Sequence, residues 1–152
     1  MRRNISIVVA AFITLLTLWT GTAAAQVCPG ESTWKNQRGS TLHIEDIDTE
    51  GKITGYYINK AKGYACQGTP YPVTGWVLEG TNTITFAVKW ENTVENCSSI
   101  TAWTGFFNKD CDRLTALWQL VINGATDPSQ IIKGMDTFTR VTQTQSDFIK
   151  KK

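Results

Sequence analysis

Small polar side chains recur beside tryptophans along this chain. Ser99, Thr101 and Trp103 sit two apart, as do Tyr57 and Asn59, and Trp34 and Asn36. In a β-strand residues i and i+2 share a face, so each run sets hydroxyls or amides beside large aromatic rings. A dry core is not built that way, because a buried polar group without a partner costs roughly 1–3 kcal/mol. A pocket for a compact ligand with an apolar body and several hydrogen-bonding atoms is. That is recognition chemistry. An extracellular enzyme would need a nucleophile with a base, or two suitably placed carboxylates. His43 is the only histidine, and strand parity leaves it away from the polar group or unsupported by it. Asp136 is the only carboxylate that falls among the polar residues. No catalytic residue, enzyme activity or cofactor is expected.

The elements that must position these residues are strands. After residue 26 no segment keeps a helical period, and short alternating runs rich in Thr, Ile, Val, Tyr, Phe and Trp are separated by turn residues. The pattern predicts eight strands, near Thr33–Gln37, Ser40–Ile47, Lys52–Asn59, Tyr71–Leu78, Thr83–Glu91, Ser99–Asn108, Arg113–Asn123 and Met135–Thr142. Arg38-Gly39, Asp48-Thr49-Glu50-Gly51 and Glu79-Gly80-Thr81-Asn82 make tight turns. Consecutive antiparallel strands remove their edges by closing, and eight of them enclose room for side chains plus one small ligand. The expected fold is all-β, an eight-stranded antiparallel up-and-down β-barrel.

Loops alternate between the ends of such a barrel. The first, third, fifth and seventh connections share one mouth, and they include the three long ones, Lys60–Pro70, Asn92–Ser98 and Gly124–Gly134. Asn36, Ser40, Tyr57, Asn59, Trp90, Ser99, Thr101 and Asp136 all fall near that end, with Asp136 expected at the start of the last strand. Parity also sorts the four cysteines, for which three pairings are possible. Cys66 and Cys97 lie at the mouth, Cys28 and Cys111 at the opposite end, so Cys66–Cys97 and Cys28–Cys111 respect the barrel. The cysteines contain no CxxC pair and there is one histidine, so no metal site is expected.

Arg2 and Arg3, an apolar run from Ile5 to Trp19 and the triplet Ala23-Ala24-Ala25 predict a secretory signal peptide over 1–25, cleaved near Ala25. The destination is the periplasm or the medium, where disulfides form. About 127 residues then remain, enough for one domain. Without Arg2 and Arg3, thirteen basic residues face 13 acidic ones, so the formal charge of +2 overstates the basicity. Neither nucleic acid nor a membrane is expected as a partner.

The ordered set Trp34-Lys35-Asn36-Gln37-Arg38-Gly39-Ser40, Gly55-Tyr56-Tyr57-Ile58-Asn59, Val88-Lys89-Trp90, Ser99-Ile100-Thr101-Ala102-Trp103-Thr104-Gly105, Leu117-Trp118 and Gly134-Met135-Asp136-Thr137-Phe138 resembles the avidin family of biotin-binding proteins. The resemblance runs from Ser32 to about Val141. It implies an avidin-like barrel over 26–142, followed by a polar tail at 143–152. It implies biotin as the bound ligand, with Asn36, Ser40 and Tyr57 donating to the ureido oxygen and Asn59 and Asp136 accepting from the ureido N–H groups. The family often has Ser or Thr where this chain has Asn59, whose carbonyl can also accept. Thr101 matches the hydroxyl facing the ring sulfur and Ser99 a contact to the valerate carboxylate, with backbone near Lys60–Gly63 adding to it. Trp90, Trp103 and Trp118 would wall the rings.

Tetrameric relatives insert a tryptophan from the seventh connection into a neighbour's site, and here that position is Pro128. Gly63-x-x-Cys66, Pro70-Tyr71-Pro72 and Glu95-Asn96-Cys97 instead resemble the dimeric, rhizavidin-like branch, which implies a homodimer. Other residues have plainer uses. Trp34 is expected to fill the closed end, Trp76 to pack in an interface or the core, and His43 to be an ordinary strand residue. Asp136 alone would suit a turn or an ion pair, and the other polar residues promote it to a ligand contact. A lipocalin-like carrier of another small apolar ligand is the alternative, and predicts a larger and mostly apolar cavity.

Overall fold

The computed structural model describes residue 28, residues 30–78 and residues 80–142. The expected signal peptide and the polar tail lie outside the described residues. Eight strands, β1 (Ser32–Asn36), β2 (Thr41–Ile47), β3 (Lys52–Ile58), β4 (Pro70–Val77), β5 (Thr83–Trp90), β6 (Ser99–Phe107), β7 (Arg113–Ile122) and β8 (Ile132–Arg140), form a closed barrel in chain order. Each pairs antiparallel with the next, and β8 returns to β1.

Alternation does the sorting. Residues Pro70–Val77 of β4 are exposed and buried by turns, which is how a sheet with one face on a core reads. The buried set at the closed half is apolar and large: Trp34, Leu42, Ile53, Ile84, Phe86, Phe107, Leu114 and Phe138 are at most 2% exposed. Each such side chain contributes roughly 1.5–3 kcal/mol by leaving water. Trp34 does fill this end, its ring centroid 5.1 Å from that of Phe107 and its indole N–H on Ser32 Oγ at 2.9 Å. Trp76 does not pack in the core. It is 52% exposed on the outer face of β4.

Seven strands lie within one residue of their expected bounds. The eighth begins three residues early, at Ile132, and the preceding connection holds a single 3₁₀ turn, Pro128–Gln130. Gly134 looked like part of a loop, but it pairs with Trp118 in the β7–β8 ladder. A Cβ there would stand 2.5 Å from the Trp118 ring, so glycine lets that ring lie across the strand. Asp136 therefore sits mid-strand and not at its start. The prolines of β4 are tolerated because Pro70 and Pro72 pair with β3 only, the β4–β5 ladder starting at Val73.

Disulfides join Cys66 to Cys97 and Cys28 to Cys111. The second ties the chain before β1 to the β6–β7 connection across a sequence separation of 83. Replacing Cys28 and Cys111 together by serine is expected to lower the unfolding free energy by about 3–5 kcal/mol, read as a lower urea midpoint.

Candidate ligand-binding site

A cavity of about 480 Å³ opens at the mouth, within the range of small-molecule sites. Asn36, Ser40, Tyr57, Asn59, Trp90, Ser99, Thr101, Trp103, Trp118 and Asp136 all line it. Six of these sit among apolar neighbours as buried polar groups or, for Tyr57, a buried phenol: Asn36, Ser40, Tyr57, Asn59, Thr101 and Asp136 are at most 9% exposed.

Each polar group is oriented by a bond to the scaffold. Asn36 ends β1, and its Oδ1 accepts from the backbone N–H of Arg38 and Ser40 at 3.0 and 2.9 Å, turning the chain at Gly39, whose φ is +87°. That leaves its amide N–H₂ as the interior donor, one hydrogen going to Tyr57 Oη at 3.2 Å. Ser40 Oγ accepts from the Lys60 N–H at 2.9 Å and donates to Asn59 Oδ1 at 3.4 Å. Asn59 Oδ1 also accepts from the Ala61 N–H at 2.9 Å, while its Nδ2 donates to the Ala65 carbonyl at 3.1 Å. Burial pushes the Tyr57 phenol well above its ordinary range, and the Asp136 carboxylate adds to the rise. Tyr57 is thus a hydroxyl donor throughout the neutral range.

Asp136 is held from two sides. Trp103 Nε1 donates to Oδ2 at 3.0 Å and Gln37 Nε2 to Oδ1 at 3.1 Å. Gln37 also donates to the Met135 carbonyl at 3.2 Å and accepts from the Thr137 N–H at 2.9 Å, so its amide imitates a further residue of β1 paired to β8. Sequence reasoning missed Gln37, because its spacing marks it only as the residue before a turn.

The aromatic wall is built in layers. Trp103 stacks on Phe86 with centroids 4.8 Å apart and faces Tyr57 at 5.1 Å. Trp90 donates its indole N–H to Thr101 Oγ1 at 2.8 Å and meets Tyr71 edge-on at 5.1 Å. Trp118 has the Arg38 guanidinium 5.9 Å above its ring, and its buried indole N–H has no partner among the described residues. At the rim Ser99 Oγ donates to the Cys97 carbonyl at 2.8 Å. His43 is not among the lining residues. It stacks on Tyr56 at 4.3 Å with Thr33 and Thr41 hydroxyls on its ring nitrogens, and partial burial lowers its pKa, opposed by Glu45.

A model of the Avidin family matches residues 23–141. The chain belongs to the avidin family. Afifavidin of Afifella pfennigii is 39% identical over 118 residues, covering 76% of this chain and 72% of that protein. The structure of apo shwanavidin shares 50% identity at a TM-score of 0.71 and covers 77% of this chain and 100% of that one. Rhizavidin, solved as its biotin complex, shares 40% identity at a TM-score of 0.66 and covers 76% and 94%. In this avidin-family chain the seventh connection is folded on itself. Asp127 caps the 3₁₀ turn through the Ser129 N–H, and Gln130 Oε1 accepts from the N–H groups of Thr126 and Asp127. Pro128 stands within that turn.

The Tyr57 shift has a consequence with a definite sign. Its folded pKa lies above the ordinary 10.0, so the folded state holds the proton more tightly than the unfolded chain. That contribution is fully present below pH ~10 and is lost as pH rises through the folded value. Unfolding free energy measured from pH 8 upward should fall beyond pH ~10, and less steeply in Tyr57→Phe.

Proposed function

We propose that this chain captures free biotin outside the cytoplasm, without catalysis. One observation carries the reading: inside a single tryptophan-walled cavity Asn36 and Tyr57 offer hydrogens, Asp136 offers oxygens, and the Ser40 hydroxyl, bonded to Asn59 Oδ1, can trade that long bond for one to a ligand and so release both partners. That is the complement of a cyclic urea, which has one carbonyl oxygen and two N–H groups. Three donors on that oxygen favour negative charge there, and charge-assisted bonds are the stronger kind. The Thr101 oxygen is already an acceptor for Trp90, so its hydrogen is left for the thioether sulfur. Ser99, by turning its hydroxyl from the Cys97 carbonyl, and the backbone N–H groups of Lys62 and Gly63, beyond those of Lys60 and Ala61 that Ser40 and Asn59 occupy, meet the valerate carboxylate, and Trp90, Trp103 and Trp118 pack on the rings. A carrier of a purely apolar ligand would bury the spare donor and acceptor capacity of Asn36, Thr101 and Asp136 against a surface that cannot bond to it. The biotin complex of rhizavidin, a relative at 40% identity, supports the same ligand.

The protein is further proposed to be a homodimer. Outward residues of β4–β8 form a row, Trp76, Thr85, Thr104, Leu117 and Met135, that carries no charge. Phe106 lies in the next outward row on one side, Ile100 and Val121 pair two rows away on the other, past Ala102, Gln119 and Lys133, and Phe106, Leu117 and Met135 are more than half exposed. A charge-depleted apolar face of this kind suits a second copy. Export is supported by the Arg2-Arg3 leader with its Ala23-Ala24-Ala25 end and by two disulfides.

A thermal melt with biotin tests the ligand directly. At a hundredfold excess over Kd the fold should gain about 2.7 kcal/mol, and an unmoved midpoint would count against the reading. Asp136→Ala should weaken binding by about 1.5–3 kcal/mol, on the order of ten- to a hundredfold, by calorimetry. Light scattering should give twice the chain mass, and Leu117→Glu should reduce it to one.

A further inference from the structure

The third connection, residues 59–69, contributes Asn59, Ala61, Gly63, Tyr64 and Ala65 to the cavity. At its centre the peptide unit joining Ala65 to Cys66 is gripped at both ends. Its carbonyl accepts from Asn59 Nδ2 at 3.1 Å, and its N–H donates to the Glu95 carboxylate of the fifth connection. Cys66 itself has φ +58°, a left-handed conformation uncommon outside glycine, which needs support from its surroundings. Glu95 is aimed by Asn92, whose Oδ1 accepts from the N–H groups of Val94 and Glu95 at 2.8 and 2.7 Å. The Asn92 amide in turn donates to Tyr71 Oη at 2.6 Å and to Cys66 Sγ at 2.9 Å, locking the turn onto the wall behind Trp90.

We propose that Glu95 is a positioning residue for ligand recognition, acting through the Ala65–Cys66 peptide to set the orientation of the Asn59 amide. The disulfide to Cys97 holds the sulfur of Cys66 and makes no bond to its peptide. The carboxylate fixes the plane of that peptide. With the plane fixed, the Ala65 carbonyl takes Asn59 Nδ2, and the opposite end of the amide, Oδ1, is kept on the Ala61 N–H and the Ser40 hydroxyl at the cavity wall, the longer Ser40 bond being the one a ligand N–H can replace. A carboxylate on the N–H polarises the peptide and strengthens the bond at its carbonyl end. Glu95 touches no ligand in this arrangement and sits exposed on the rim.

The affinity arm of the test rests on the biotin reading, and a second arm does not. Glu95→Leu removes the acceptor and Glu95→Gln keeps one, and thiol titration confirms that both retain the Cys66–Cys97 bridge. Biotin affinity should fall about tenfold in Glu95→Leu, the factor of one hydrogen bond of ordinary strength, and recover in Glu95→Gln. In an Asn59→Ala background Glu95→Leu should cost nothing further, because the group it positions is gone. An equal loss in both backgrounds, or no loss in either, would overturn the proposal. In the ligand-free protein, NMR should show slow exchange of the Cys66 N–H and the Asn59 side-chain amide, lost in Glu95→Leu and kept in Glu95→Gln. Fast exchange of both in the unmodified protein would also overturn it. If exchange behaves as expected while biotin does not bind, the ligand reading fails and the positioning role stands.

Discussion

Three residue pairs make the ladder between β1 and β8, Trp34 with Arg140, Lys35 with Thr139 and Asn36 with Phe138, and beyond them the amide of Gln37 continues the seam in place of backbone. This closure puts the first and last strands of the domain side by side. Without it Asn36 and Asp136, a hundred residues apart in the chain, would have no common interior. Closure also removes both sheet edges, so the polar atoms inside answer to each other and to a ligand instead of to water. The interior is then divided along its length. Trp34, Phe107 and Leu114 fill one end, while the other keeps an open cavity lined by amides, hydroxyls and one carboxylate.

Those polar groups share a single design rule. Each is oriented by bonds to the scaffold, and Asn36, Thr101 and Asp136 keep capacity for a further one. The Asn36 carbonyl holds the turn and its amide hydrogens face inward. Thr101 accepts from Trp90 and retains its own hydrogen. Both oxygens of Asp136 take one scaffold donor and have lone pairs to spare. Preorganisation of this kind lowers the ordering cost of binding, and low local dielectric strengthens the bonds that form. The rim follows the same logic at longer range, with Asn92, Glu95 and the Cys66–Cys97 bridge tying the third and fifth connections together.

Much of this was legible in the chain. Period-two alternation located all eight strands, since a buried face and a wet face alternate by necessity in a barrel. Loop parity separated Cys66 and Cys97 from Cys28 and Cys111, and the same parity gathered the polar residues at one mouth. Two features were not legible. Gly134 carries a turn-forming residue type inside a strand, and only the Trp118 ring lying over it explains why. Gln37, Tyr71 and Asn92 act on partners distant in sequence, and although Gln37 and Tyr71 stand in recognisable stretches, nothing local shows which atoms they bond.

The sequence by itself determined which side chains face inward, because the pleat of a strand depends on local alternation alone. It also determined the two cysteine pairs, since a connection between neighbouring antiparallel strands starts and finishes at the same end of the barrel. The tertiary structure decided how deep Asp136 sits, which way each amide points and which rim residues brace the site. Those depend on register and on bonds between segments that meet only when the barrel closes.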